Sequence, residues 1–339
     1  MKKYVKYFAI FLVVIFILPA ICTKSSGKIA TSKEKNDEQT LKEDQSEKYD
    51  YSKYAKIKLY HTDTKEIEEI NFDVYLYGTV SAEMPASYEI EAIKAQAIVS
   101  RTYTLYQIIN NNKHDKADIC DDYRCCQAWI SKEDRLAKWD EDERESNWKK
   151  IQEAVDSTSG KIVTYNGEPI NAFFHSNSGG TTEAVSNIWG EKDLPYLQSV
   201  ETSGEESYKQ YNSEVTLTRD ELVDKIKSKY SDIKIDWNDK DCIKILEYTD
   251  SKRVKTIKLG NTEIAGTEVR SLLGLKSTKF TYKIVDDKII FSVIGYGHGV
   301  GMSQTGADSM AKSGSDFKEI IKHFYTGVEV TYVNDLNFM

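Results

Sequence analysis

VSAEMPASYEIEAIKAQAIVSRTY, running from Val80 to Tyr103, holds a chain break followed by a long helical repeat. Pro85 disfavours helical geometry at Met84 and separates two helices. Before it, a short helix is expected over 74–80, with Asp73 as N-cap. After it, a helix is expected from about Tyr88 to Asn110. One of its stripes is Ile90, Ile93, Ala97 and Ser100, and the neighbouring one is Ala92, Gln96, Val99 and Tyr103. The alanines let a partner element come close. Another helix is expected over 145–157, with Trp148, Ile151 and Val155 facing inward. Upstream, 57–60 and 67–70 read as paired strands. Downstream the period becomes alternating, and 162–165 and 169–175 flank the hairpin pair Asn166-Gly167. Thr218 with Glu221, and Asp316 with Glu319, have capping-box spacing. Strands are expected at 242–248, 254–259, 280–285 and 288–294. The class is therefore α+β, a mixed helical and β main domain that is not lysozyme-like. It is built from 56–204 and 281–339, with a smaller inserted α/β subdomain over 205–280.

The chain has 339 residues, enough to bury a core without staples. Lys2, Lys3 and Lys6 precede an apolar run from Tyr7 to Ile21, which predicts an N-terminal membrane anchor over 1–22 with the remainder outside the cytoplasm. A cleaved signal peptide is the alternative. A lipoprotein site at Cys22 is disfavoured by the bulk of Ile21. Residues 23–55 are dense in charged and hydroxyl side chains and read as a disordered polar tether. The formal net charge of -8 argues against a nucleic-acid binder.

Four segments could carry chemistry. Glu83 is flanked by Ala82, Met84 and Pro85, so its carboxyl is expected in an apolar setting that raises its pKa. The segments 175–181 and 295–304 gather polar residues and glycines. His298, in the second, reads as a base, a substrate donor or a structural histidine. His114, Cys120, Cys125 and Cys126 lie in one short window. They predict zinc held by His114, Cys120 and Cys126, with Cys125 as rival third ligand because adjacent cysteines seldom share a metal. A Cys120–Cys126 disulfide and free thiols are the alternatives. No His-Glu-x-x-His sequence is present, which disfavours a standard zinc peptidase.

The blocks 80–87, 91–97, 101–103, Cys120-Asp121, Cys126-Gln127, 174–181, 297–304 and Gly306-Ala307 together resemble the stage II sporulation protein D family of endospore-forming bacteria. They occur in family order across most of residues 70–310. Family members often carry a histidine where this chain has Cys125. The resemblance implies a peptidoglycan lytic transglycosylase that cleaves between N-acetylmuramic acid and N-acetylglucosamine on peptide-stripped strands. Glu83 would act as acid and then base, and the product would carry a 1,6-anhydro ring. Arg101, Tyr103, Ser176, His298 and Gln304 would shape the substrate cleft, and zinc would be structural. The implied partners are glycan strands, a sporulation amidase and a membrane protein of the engulfment machinery, met between mother cell and forespore. A non-catalytic wall-binding scaffold and a zinc-dependent amidase are the rival readings.

Overall fold

The computed structural model describes residues 54–110, 113–190 and 194–336. The expected anchor and nearly all of the expected tether lie outside the described residues. Among the described residues, no helix is long and apolar enough to cross a membrane.

The main lobe opens with antiparallel β1 (Lys56–Tyr60) and β2 (Ile67–Asn71), which run straight into α1 (Phe72–Glu83). This helix starts earlier and ends later than the expected 74–80. The cap is Asn71, whose side chain accepts the backbone N–H groups of Asp73 and Val74. The stop is Met84, held extended before Pro85 at φ -126 and ψ 133. Glu83 is thus the last helical residue and not part of a loop.

Helix α2 (Ile90–Asn110) is buried on nearly all sides, including Ala92, Ala95 and Ala97. Its other elements come in chain order. The short β3 (Ile119–Cys120) pairs parallel with β1. Helices α3 (Lys132–Ala137) and α4 (Arg144–Asp156) lead to β4 (Lys161–Tyr165) and β5 (Glu168–Pro169), which form the expected hairpin around Asn166 and Gly167 at φ 52 and 83. Then follow β6 (Phe174–His175) and a single helical turn, α5 (Ser186–Trp189).

The smaller lobe holds β7 (Asn212–Thr218), α6 (Arg219–Lys227), β8 (Ile243–Tyr248), β9 (Val254–Leu259), β10 (Thr262–Ala265), α7 (Gly266–Leu273), β11 (Phe280–Val285) and β12 (Lys288–Ile294). It has two antiparallel sheets, β11-β12-β7 and β10-β9-β8. Leu217, Leu222, Ile257, Leu259, Ile289 and Phe291 share its core. Pairing of β12 with β7 carries this lobe to Ile294, past the boundary at 280 suggested by composition.

The chain returns through β13 (Met302–Ser303), α8 (Gln304–Lys312), α9 (Phe317–Phe324) and β14 (Glu329–Tyr332). Strand β13 lies parallel to β6, with Met302 opposite Phe174 and Ser303 opposite His175. That two-residue pairing brings together segments far apart in sequence. Both capping boxes form, on α6 and α9. The whole is α+β, as expected.

Arg101 is fully buried on α2. It donates to the carbonyls of Val155, Thr158 and Lys161, at 3.3, 2.9 and 3.1 Å, closing the C-terminal end of α4 onto β4. Removing it would take a charged donor from all three carbonyls at a fully buried position, although Val155 and Thr158 keep backbone N–H donors of their own. Arg101→Met should therefore lower the unfolding free energy by about 3 kcal/mol, measured by urea titration with an unchanged m-value.

Candidate functional site

A cleft of about 670 Å³ opens where α1 ends, and Glu83, Ser176 and Gln304 all line it. Helix α1 delivers Glu83 at its last turn. Strand β6 delivers Ser176, and the start of α8 delivers Gln304. Arg135 and Trp139 from the α3 region, and Lys150 from α4, line it as well.

Glu83 Oε1 accepts the backbone N–H of Ala128 at 2.6 Å. The Gln304 side chain, whose Nε2 donates to Gln96 Oε1 at 3.4 Å, also acts on the carboxyl. Burial raises the carboxyl pKa, and the Ala128 N–H, then Gln304, only partly oppose that rise, so the group sits at about 7. Glu83 is therefore divided between acid and carboxylate near neutrality, while still partly reachable through the cleft.

Each donor is itself fixed. Ala128 follows Gln127, a buried amide that donates to Tyr75 Oη at 3.1 Å, Thr104 Oγ1 at 2.9 Å and the Ser100 carbonyl at 3.3 Å. Gln304 lies between Ser303 and Thr305, whose hydroxyls both donate to Glu205. Glu205 is fully buried and also accepts from the N–H groups of Ser178 and Gly180, at 3.0 and 2.8 Å, and from Thr202 Oγ1 at 2.7 Å. Desolvation pushes its pKa up, but the surrounding donors, led by Ser178 and Ser303, outweigh it and hold the carboxylate at about 2. It ties the 177–180 turn to the 303–305 segment, so Ser176 and Gln304 keep their spacing.

The glycine-rich loop packs as its sequence suggested. A Cβ on Gly297 would lie 2.6 Å from His175 Cβ, and one on Gly299 would lie 2.6 Å from the buried guanidinium carbon of Arg253. Both residues have positive φ, 119 and 88.

The other expected substrate residues do not line the cleft. Arg101 is committed to the α4 carbonyls. The Tyr103 hydroxyl accepts from Lys113 Nζ at 2.9 Å, and its ring faces Phe173. His298 lies against Trp189 with ring centroids 5.2 Å apart, and its Nδ1 accepts the Val300 N–H at 3.1 Å. Burial, and then the charge of His175, keep its pKa well below the usual imidazole range. It is a neutral, structurally engaged ring. Arg135, Trp139, Ala128 and Glu205 were not found from sequence, because only tertiary contacts bring them to the site.

His114, Cys120, Cys125 and Cys126 converge, with their donor atoms all within 4.8 Å of one another. His114 Nε2 is 3.4 Å from Cys126 Sγ and 3.8 Å from Cys125 Sγ. The cysteines are free, so no Cys120–Cys126 disulfide forms. These spacings approach the edge of about 3.8 Å of a tetrahedron with Zn–S bonds. Contrary to the three-ligand expectation, both adjacent cysteines reach the cluster. The tight turn in which Cys125 and Cys126 N–H groups both donate to the Asp122 carbonyl, at 3.0 and 2.8 Å, makes that possible. A larger hollow of about 730 Å³ on the smaller lobe, lined by β7, β11 and β12, contains none of the motif residues.

Residues 60–165 match the family described as SpoIID, stage II sporulation protein. The chain is 35% identical over 277 residues to stage II sporulation protein D of Bacillus subtilis (strain 168), covering 81% of this chain and 78% of that one. It is 33% identical over 278 residues to the protein of the same name from Bacillus amyloliquefaciens, with the same coverages. It is also 28% identical over 308 residues to an amidase enhancer of Bacillus subtilis, covering 76% of this chain and 40% of that one.

A carboxyl whose folded pKa lies above its unfolded value favours the native state while protonated. That stability is lost as pH rises from the unfolded value toward about 7. Glu83→Gln should therefore be more stable than the wild type at pH 8, by on the order of 2 kcal/mol, and equal to it near pH 4. Denaturant melts at the two pH values measure this.

Proposed function

This chain belongs to the stage II sporulation protein D family, with a role in sporulation, and on that premise we propose that it is a lytic transglycosylase acting on peptidoglycan glycan strands. The observation that carries the reading is Glu83: one buried carboxyl, poised near neutral pH, facing an open cleft. A hydrolase of the usual kind would need a second carboxylate to deliver water or a covalent bond, and the other carboxylate lining this cleft, Glu143, is exposed and free of the burial that tunes Glu83. An intramolecular attack does not, because the substrate supplies the nucleophile.

In this mechanism the protonated Glu83 gives its proton to the glycosidic oxygen between N-acetylmuramic acid and N-acetylglucosamine as that bond breaks. The resulting carboxylate takes the proton of the muramic acid 6-hydroxyl. That oxygen bonds to the anomeric carbon and closes a 1,6-anhydro ring, and Glu83 ends protonated again. The Ala128 N–H and Gln304 hold the carboxyl in place and stabilise its ionised stage. Ser176 is the other polar group from the motif segments near the reacting sugars.

The His/Cys cluster is read as a structural zinc site of His114, Cys120, Cys125 and Cys126. Four protein donors leave no open position for a catalytic water, which disfavours the amidase reading. The bound metal would order the turn that leads through Gln127 to Ala128. The anchor expected over 1–22 would hold the enzyme at the membrane, facing the space between mother cell and forespore. The relative named as an amidase enhancer supports partnership with an amidase that strips stem peptides before cleavage; a membrane protein of the engulfment machinery is the second proposed partner.

On peptide-free glycan strands, Glu83→Gln should lower release of anhydro-muramyl products by at least about a hundredfold while strand binding stays within a few-fold. Unchanged release would refute the role of Glu83. For the wild type, kcat/KM should be level below pH 7 and fall about tenfold per pH unit well above it, because only the protonated carboxyl can start the reaction. Elemental analysis of protein purified without added metal should give about one equivalent of zinc, and less than half an equivalent would count against the site.

A further inference from the structure

Arg135 lines the Glu83 cleft from α3, with its guanidinium carbon 4.7 Å from the ring centre of Trp139. Its Nε–H is buried and has no hydrogen-bond acceptor. None of the ion pairs among the described residues includes it. Lys150, a second cation lining the cleft, already donates to the Tyr88 carbonyl at 2.5 Å. Glu143 also lines it, but Arg135 is not paired with it. Burial keeps the Arg135 pKa below the ordinary arginine value, so no anion of the chain offsets its desolvation.

A guanidinium braced on an indole face keeps its donors in its own plane, a fork suited to a carboxylate. An unspent fork in a substrate cleft points to an anion on the substrate. On the glycan strand of the reading above, on which this inference rests, that anion is the lactyl carboxylate of muramic acid. While the stem peptide is attached, this carboxyl is a neutral amide. We propose that Arg135, braced by Trp139, binds the free lactyl carboxylate of peptide-stripped muramic acid and so makes the cleft select strands whose peptides are already gone.

The test uses peptide-free glycan strands and the same strands with their lactyl carboxylates converted to methylamides. Wild-type protein should show a KM roughly tenfold to a hundredfold lower on the free-acid strands, with kcat within a few-fold. Arg135→Gln should raise KM on free-acid strands to the methylamide value, so that its KM values on the two strands become equal, while an unchanged circular dichroism spectrum and thermal midpoint serve as its folding control. Arg135→Lys keeps the charge but not the fork, so its preference should shrink several-fold. It decides the matter if the glutamine variant fails to fold. Equal KM on both strands in the wild type, or an undiminished preference in either variant, would overturn the proposal. If neither strand yields anhydro products with the wild type, the transglycosylase reading itself fails.

Discussion

The carboxyl of Glu83, at the end of α1, accepts the Ala128 N–H and is acted on by the Gln304 side chain, two groups brought from distant parts of the chain, and the arrangement of the main lobe serves that meeting. The Ala128 N–H comes from the irregular segment after α2. Gln304 comes from the far end of the chain, after the excursion into the smaller lobe. The first segment has no helical or sheet pairing to position it, and the second is the very start of α8. The first is pinned by Gln127 within the α1–α2 interface and by the convergence of His114 with three cysteines. The second is pinned by Glu205 and by the short pairing of β13 with β6. The glutamate is therefore only as well placed as two buried polar clusters that never touch substrate.

Two glutamates in this fold illustrate how environment divides one side-chain chemistry into two roles. Glu205 and Glu83 both lose much of their hydration. Glu205 receives hydroxyl and amide donors on both oxygens and stays ionised, with a pKa of about 2. Glu83 accepts one backbone N–H and feels the nearby Gln304 amide, and desolvation prevails, leaving it at about 7. A permanent anion suits a structural tie, since its charge-assisted hydrogen bonds persist at any physiological pH. A carboxyl balanced near neutrality suits a group that must give and then take a proton. Removing donors from Glu205 would move it toward the behaviour of Glu83, and adding donors to Glu83 would do the reverse.

Much of this was legible in the sequence. Pro85, the alanine-rich stripes of α2, the hairpin at Asn166-Gly167 and both capping boxes are local signals, and local signals survive into the fold. The alternating glycines of 295–301 announced close backbone approach, which the contacts of Gly297 and Gly299 with His175 and Arg253 require. What could not be read depends on tertiary contact. Residues 113–131 have no period, so nothing marked the Ala128 N–H or placed Arg135 across from Glu83. Glu205 sits in the polar run Gly204-Glu205-Glu206-Ser207 and reads as a surface acid, yet folding buries it completely. Cys125 was weighed only as a rival to one of the three expected ligands because adjacent cysteines seldom share a metal, and a tight turn on the Asp122 carbonyl removes that obstacle. Family motifs grouped Arg101, Tyr103 and His298 with the cleft residues, whereas their contacts commit them to the framework behind it.

The account rests on a single carboxyl serving an intramolecular ring closure, with water taking no part in the bond change. Cleavage of peptide-free glycan strands in water enriched in oxygen-18 tests this directly. The account predicts that the new muramic acid ends carry no label at the anomeric carbon, because the oxygen bonded there comes from the sugar's own 6-hydroxyl. Incorporation of one labelled oxygen per cleavage would contradict it and identify the enzyme as a hydrolase.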